Sequence, residues 1–206
     1  MNGTSSSPPR LVLDWDGTVT DRDTLVEVIL RFGDKGVLEQ AEAEIGRTLT
    51  VHEVIALEVA TLDASLEEMT AHLLESVSVR PGFHELAELH RPTIVSAGFH
   101  ELIEPVLERE GVRLDVRANR LERDGDRWRA RFRDTAPCPV CGEPCKRAAV
   151  LEGRGPLVFV GDGISDRCAA LGAERVFARD GLARWLDARG AAYEPWADFG
   201  ELLARL

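Results

Sequence analysis

The feature that most constrains this chain is the run Arg10-Leu11-Val12-Leu13-Asp14-Trp15-Asp16-Gly17-Thr18-Val19-Thr20. Three apolar residues read as a short buried strand, two carboxylates spaced by one residue end it, and Gly17-Thr18 turn the chain sharply. Side chains alternate across a strand, so Asp14 and Asp16 point the same way, while Trp15 between them faces the opposite side and packs. Two like charges held side by side repel. A cation makes the arrangement favourable, and hard Mg²⁺ suits clustered carboxylates.

A chain of 206 residues with 44% hydrophobic and 30% charged side chains has material for one domain with a full core, with room for a modest insertion. The net charge of −11 argues against nucleic acid or an anionic membrane as partner. An anionic substrate would therefore have to be drawn by a local positive group. Only two lysines occur, Lys35 and Lys146, in a chain that otherwise uses arginine; a retained lysine points to a place arginine cannot fill. With no apolar run of membrane-span length and no charged-then-apolar leader, the expected address is the cytoplasm. Residues 1–9 are polar and turn-rich, and read as a disordered arm.

Along the chain, residues 21–80 carry helical rather than strand periodicity: Leu25, Val28, Ile29 and Phe32 fall at i, i+3, i+4, i+7. Thr50 with Glu53, and Ser65 with Glu68, form capping boxes ahead of apolar stripes. So long a helical stretch exceeds what a simple crossover needs and predicts an inserted helical cap. Further buried strands are expected at 93–96, 157–160 and 175–178, with helices between them, and Pro105 implies that the helix after the second strand restarts there. Asp124-Gly125 predicts a hairpin between 112–123 and 126–134. Its alternating Arg127, Arg129, Arg131 and Arg133 read as a solvated face over an aromatic one.

Strand–helix alternation implies a parallel sheet with helices on both faces, whose chemistry lies at the carboxyl ends of the strands. Polar residues end strand after strand: Asp14 and Asp16, then Ser96, then Asp162 with Asp166 beyond.

Together, Asp14-Trp15-Asp16-Gly17-Thr18, Ile94-Val95-Ser96, Lys146 and Gly161-Asp162-Gly163-Ile164-Ser165-Asp166 resemble, in order, the four motifs of the haloacid dehalogenase superfamily. The resemblance implies an α/β fold: a Rossmann-like, doubly wound parallel core (10–20 and 81–206) with an inserted α-helical cap (21–80) and a small β-hairpin. It also implies Mg²⁺-dependent hydrolysis of a small phosphorylated metabolite through an aspartyl phosphate. Asp14 would be the nucleophile, a carboxylate that needs no activating base. Asp16 would protonate the leaving alkoxide and then deprotonate the attacking water. Mg²⁺ would be held by Asp14, Asp16 (through its main-chain carbonyl), Asp162 and Asp166, the last a direct ligand or a group orienting Lys146. Ser96 and Lys146 would hold the phosphate, assisted by Thr18 and the backbone of Ala97 and Gly98. The dehalogenases that name the superfamily lack the second acid, because a halide needs no proton, so Asp16 favours a phosphatase.

The inserted helical cap resembles the phosphoserine phosphatase branch, although Asp23 stands where that enzyme carries a Glu for the substrate amine. The cysteine-rich run before Lys146 and the tail Phe177-Ala178-Arg179-Asp180-Gly181-Leu182 are more similar to the methionine-salvage phosphatases of the same branch. Cap residues Asp23, Glu27, Arg31 and Arg47 are candidates for reading the leaving group, with Asp23 the one assigned to substrate. Cys138-x2-Cys141-x3-Cys145 suits a structural Zn²⁺ completed by a His or by Cys168, against free thiols or one disulfide; Cys168 itself reads as a core residue. Two other classes fit the residues less well. A phosphorylated receiver domain would not carry both acids on the first strand followed by a cap. A catalytically silent zinc-knuckle binding protein would have lost members of the acid–Ser–Lys set.

Overall fold

The computed structural model describes residues 9–206; apart from Pro9, the expected N-terminal arm lies outside the described residues. Seven strands form one sheet in the order β4-β3-β2-β1-β5-β6-β7: β1 (Arg10–Leu13), β2 (Thr93–Phe99), β3 (Asp115–Asp124), β4 (Arg127–Arg131), β5 (Leu157–Gly161), β6 (Arg175–Ala178) and β7 (Glu194–Pro195). All neighbours run parallel except β3 and β4, the expected hairpin. The order reverses at β1, which lies between β2 and β5, and that is where doubly wound sheets open a crevice at their carboxyl ends.

Alternation along the central strands sorts the core. Leu11, Leu13 and Trp15 join Val158, Val160 and Phe177 on one face, against α5 (Phe83–His90), α6 (His100–Arg109) and α10 (Phe199–Leu203). Val12, Val95 and Phe159 point to the other, against α7 (Arg147–Leu151), α8 (Arg167–Ala170) and α9 (Asp180–Asp187). Trp15 therefore packs away from the acids, and Asp14 emerges on the face that carries α7 and α8.

Between β1 and α5 the chain forms α1 (Thr24–Phe32), α2 (Lys35–Glu44), α3 (Val51–Val59) and α4 (Leu66–Ser76). Both capping boxes are present, with Thr50 and Ser65 accepting from Glu53 N and Glu68 N while the glutamates return the bond. Entry and exit of this insertion are tied together, with Thr20 bridged to Val79 and Asp21 N donating to Ser78 O. Its apolar stripes share a cluster with Phe99, Leu102, Leu121 and Trp128, and Trp128 Nε1 donates to Ala64 O at 2.9 Å. The hairpin thus braces the inserted helices.

Three details differ from the sequence reading. Strand β2 runs past Ser96 to Phe99, with a shift of its register against β3 between Val95 and Phe99, so Ser96 lies within the strand and not at its end. Helix α6 runs unbroken through Pro105, at the loss of one intrahelical bond. A short α7 begins directly after Lys146, and the two-residue β7 closes the sheet edge; neither has enough periodicity to be read from sequence. The arginine stripe of β4 is exposed, with Arg129 paired to Asp124 and Arg131 to Glu122 across the hairpin.

Candidate active site

Asp14 leaves β1 into the crevice and is buried, its backbone N–H bonded to Val160 O of β5. Its Oδ1 is ion-paired with the Lys146 ammonium, which also reaches Asp166 Oδ1 at 2.6 Å. Burial alone would lower the lysine's pKa, but Asp14 and Asp166 outweigh it and hold the ammonium protonated. Burial, with the neighbouring Asp166 carboxylate next in size, pushes the Asp14 carboxyl well above its ordinary range despite the pull of Lys146. Asp162 is raised to about 6 by the same two causes.

One carboxylate oxygen from each of Asp14, Asp162 and Asp166 lies within 4.8 Å of the others. Burial, together with the negative charge that one ammonium leaves uncompensated among these acids, raises the Asp14 and Asp162 carboxyls. A hard divalent cation fits this oxygen set and would reverse the shifts.

Asp16 is oriented differently. Its Oδ1 accepts from Thr24 N (2.8 Å) and Thr24 Oγ1 (2.5 Å) in the first turn of α1, and its Oδ2 from Ser96 Oγ at 3.3 Å. The N-terminus of α1 thus holds the carboxylate through donors and dipole. Burial nonetheless raises its pKa, with the Thr24 bonds opposing. Gly98 leaves the space for this arrangement: a Cβ there would lie 2.7 Å from Asp16 Oδ2 and 3.1 Å from Ser96 Oγ.

The remaining motif residues form the frame. Thr18 Oγ1 donates to Asp162 Oδ1 at 2.9 Å, and Asp166 Oδ2 accepts from Asp162 N and Gly163 N, both at 2.9 Å. Arg80 clamps the turn by donating to Gly17 O and Thr18 O. Gly17 holds φ +73°, beside the Asp162 carboxylate where any side chain would collide.

A cavity of about 180 Å³ opens over these acids, lined by Asp14, Asp16, Asp162, Ala97 and Gly98 from the core and by Val51, Val54, Ile55 and Glu58 among inserted residues. A recess beside it is lined by Ser96, Lys146, Asn119 and His52. Sequence reasoning therefore named residues that converge: Asp14, Asp16, Asp23, Asp162, Ala97 and Gly98 on the cavity, Ser96 and Lys146 on the recess. Thr18 and Asp166 line neither space, because their polar atoms are committed to the frame. Asp23 caps α1 by accepting from Val26 N, and its carboxyl is raised by desolvation in the cleft and then by Asp16. Glu27 pairs with Arg22, and Arg31 and Arg47 are exposed and do not line the cavity.

Sequence reasoning missed Glu58. It is buried at 4% exposure and its pKa is raised to about 7, by burial first and Glu42 second. The signal was present: Val51, Val54 and Ile55 mark the inward stripe of α3, Leu62 continues it beyond the helix, and Glu58 falls on it.

Residues 11–171 match the family described as haloacid dehalogenase-like hydrolase. The chain is 24% identical to a 2-hydroxy-3-keto-5-methylthiopentenyl-1-phosphate phosphatase of Exiguobacterium sp., over 94% of this chain and 95% of that protein. It is 27% identical to the Bacillus velezensis phosphatase of the same name, over 94% and 88%. A solved structure of a phospho-aspartyl intermediate analogue of phosphoserine phosphatase superposes with a TM-score of 0.71 at 21% identity, covering 97% of this chain and 100% of that one, so the fold is shared. By the match over 11–171, the chain belongs to the haloacid dehalogenase-like hydrolase family, on its phosphatase side.

Proposed function

We propose that the protein hydrolyses the phosphomonoester of a small metabolite whose leaving group is uncharged and partly apolar, an ester of the 2-hydroxy-3-keto-5-methylthiopentenyl-1-phosphate type. The observation that carries this reading is the cavity lining. Leu25, Val26, Ile45, Val51, Val54 and Ile55 face the acids, and no arginine or lysine stands among the lining residues. A phosphoserine carboxylate would find no cation there, and a desolvated, unpaired charge is costly. A neutral keto or hydroxyl group could instead take a hydrogen bond from Glu58, whose proton is retained to about pH 7.

In this reading Asp14 attacks phosphorus with a carboxylate oxygen. The ester bond breaks as Asp16 gives its proton to the departing alkoxide, leaving phosphate on Asp14. Asp16, now ionised, takes a proton from water as that water attacks the acyl phosphate, which restores Asp14 and releases inorganic phosphate. The raised pKa of Asp16 suits it to arrive protonated. Lys146 and Ser96 bind the phosphoryl oxygens, and Asp166 keeps the lysine charged and in place. Asp14, Asp162 and the main-chain carbonyl of Asp16 would hold Mg²⁺, backed by Asp166; the ion supplies positive charge against which an anionic nucleophile can approach an anionic phosphate. A zinc ion on Cys138, Cys141 and Cys145 enters this reading only as a structural clamp on the loop that delivers Lys146.

A second reading rests on Asp23, Glu42 and Glu58, three carboxyl side chains on the cavity that could receive an ammonium. The experiment that separates the two is kcat/KM with Mg²⁺ for the methylthiopentenyl ester, phosphoserine, phosphoethanolamine and pyridoxal phosphate. The first is expected to lead, with phosphoserine at least about tenfold below it, as one unmatched charged group implies. A lead for phosphoethanolamine selects the amine reading, and a lead for phosphoserine overturns both.

A further inference from the structure

We propose that Cys138, Cys141, Cys145 and Cys168 form a tetrathiolate zinc site that pins the Lys146 loop to the helix following Asp166. The four thiols are free, and one sulfur from each lies within 4.8 Å of all the others. A tetrahedral ion with Zn–S bonds of about 2.3 Å requires sulfurs about 3.8 Å apart, so closing the cluster needs only small side-chain movements.

The backbone, not the thiols, sets this convergence. Cys138 N donates to Glu143 O at 2.9 Å and Gly142 N to Cys138 O at 2.8 Å, while Pro137 is bridged to Pro144. Gly142 takes φ +79°, which closes the reverse turn and brings Cys141 round to the side of Cys138. Val140 N points at Cys138 Sγ at 3.4 Å. A backbone N–H aimed at sulfur favours the thiolate over the thiol, and the thiolate is the form that binds metal.

Cys168 is the member that the fold supplies. Taken by itself it is a buried cysteine on the short helix α8, with an ordinary packing role. The sheet, however, sets α8 beside the loop, and Arg147 Nη1 donates to Cys168 O at 2.6 Å. Three loop sulfurs and one helix sulfur then surround a single point. An all-sulfur tetrahedral donor set selects zinc among the common divalent ions.

The placement gives the site a positioning role, a part of the inference that rests on the proposed phosphatase chemistry. Cys145 immediately precedes Lys146, and Cys168 lies two residues beyond Asp166. Lys146 and Asp166 are themselves ion-paired. A metal on the cysteines would therefore join the same two segments a second time, next to the pair that aims the ammonium at Asp14.

The direct test is elemental analysis of the full chain purified without chelator, together with thiol titration. Equimolar zinc is expected, with all four cysteines unreactive until chelator and denaturant are added. Cobalt exchanged into the site should give sulfur-to-metal charge-transfer bands and the intense visible absorption of a tetrahedral ion. Cys168→Ser should weaken zinc binding at least about tenfold, and chelation should speed hydrogen exchange through 137–147. With Mg²⁺ restored in excess after the zinc has been removed, kcat should be lowered more than KM is raised. Zinc-free protein after zinc reconstitution, iron in place of zinc, an octahedral cobalt spectrum, or disulfides among these cysteines in non-reducing peptide mapping would each overturn the site. Unchanged kcat on zinc removal would overturn the positioning role. Zinc bound stoichiometrically by a protein without phosphomonoesterase activity would uphold the site and overturn the proposed activity instead.

Discussion

The Lys146 ammonium is ion-paired with Asp14 Oδ1, and both side chains are buried. The pair joins the end of the first strand to a loop far along the chain, and Asp166 completes it from behind at 2.6 Å. Removing the lysine would leave Asp14 and Asp166 facing each other without a counter-charge. Lys146→Met is therefore expected to abolish turnover and to cost about 3–5 kcal/mol of stability in urea denaturation of metal-free protein. Lys146→Arg should not restore activity, since the planar guanidinium does not fit a site shaped for a compact ammonium. An active, fully stable Lys146→Met protein would contradict the assignment.

Asp16 is held by Thr24 and Ser96 rather than by the acid cluster, which fits proton transfer better than metal binding. Asp16→Asn should lose little in the first half-reaction with p-nitrophenyl phosphate, whose leaving group needs no proton, and much in the second. Rapid-quench kinetics should show a stoichiometric burst of nitrophenol followed by a steady state about 100-fold or more below wild type. With an alkyl phosphate the burst should vanish. A burst of equal rate with both esters would remove Asp16 from the acid role.

Glu58 gives a pH signature. Its folded pKa of about 7 exceeds the ordinary 4.5, so between these values the folded state binds the extra proton. Its contribution is complete below about pH 4.5, falls as pH rises, and levels above about pH 7. After allowance for solvent at the cavity mouth, the loss is on the order of 1 kcal/mol. Glu58→Gln should flatten this part of the stability profile between pH 5 and 8 and stabilise the protein at pH 8. Parallel wild-type and variant profiles over that range would show that the carboxyl titrates normally.

Gly98→Ala tests how tightly the site is built. The added methyl would reach Asp16 Oδ2 at 2.7 Å and Ser96 Oγ at 3.1 Å, so both side chains must shift. A displacement of this kind should lower kcat about 10–100-fold. The melting temperature should move far less than in Lys146→Met. Wild-type turnover in Gly98→Ala would mean that Asp16 has another productive position.

Much of the site was legible in the sequence because it depends on short-range rules. The parity of β1 puts Trp15 in one core layer and Asp14 in the crevice. Capping boxes at Thr50 and Ser65 start α3 and α4, and they are encoded within four residues. A strand end announced Asp162, because a parallel strand must stop and the polar residue just past it lies at the crevice; β2 instead continues past Ser96 to Phe99, so Ser96 is not a strand end. Other assignments had no local signature. The Thr18 hydroxyl is taken by Asp162, which no spacing near Thr18 could indicate. Arg31 and Arg47 belong to the helical segment over the site but do not line the cavity, which only the packed structure shows.

What the sequence determined alone was the set of groups: two acids after β1, a hydroxyl on β2, a retained lysine, two acids after β5, and three closely spaced cysteines. Tertiary structure decided which of them meet. Lys146 reaches Asp14 only because the loop before α7 crosses the carboxyl end of the sheet, and Cys168 meets the other three thiols only because α8 packs beside that loop. Periodicity and capping are properties of a few consecutive residues and survive in the sequence as pattern. Contacts between distant segments depend on how whole layers pack, and side-chain identity at either end does not carry that information.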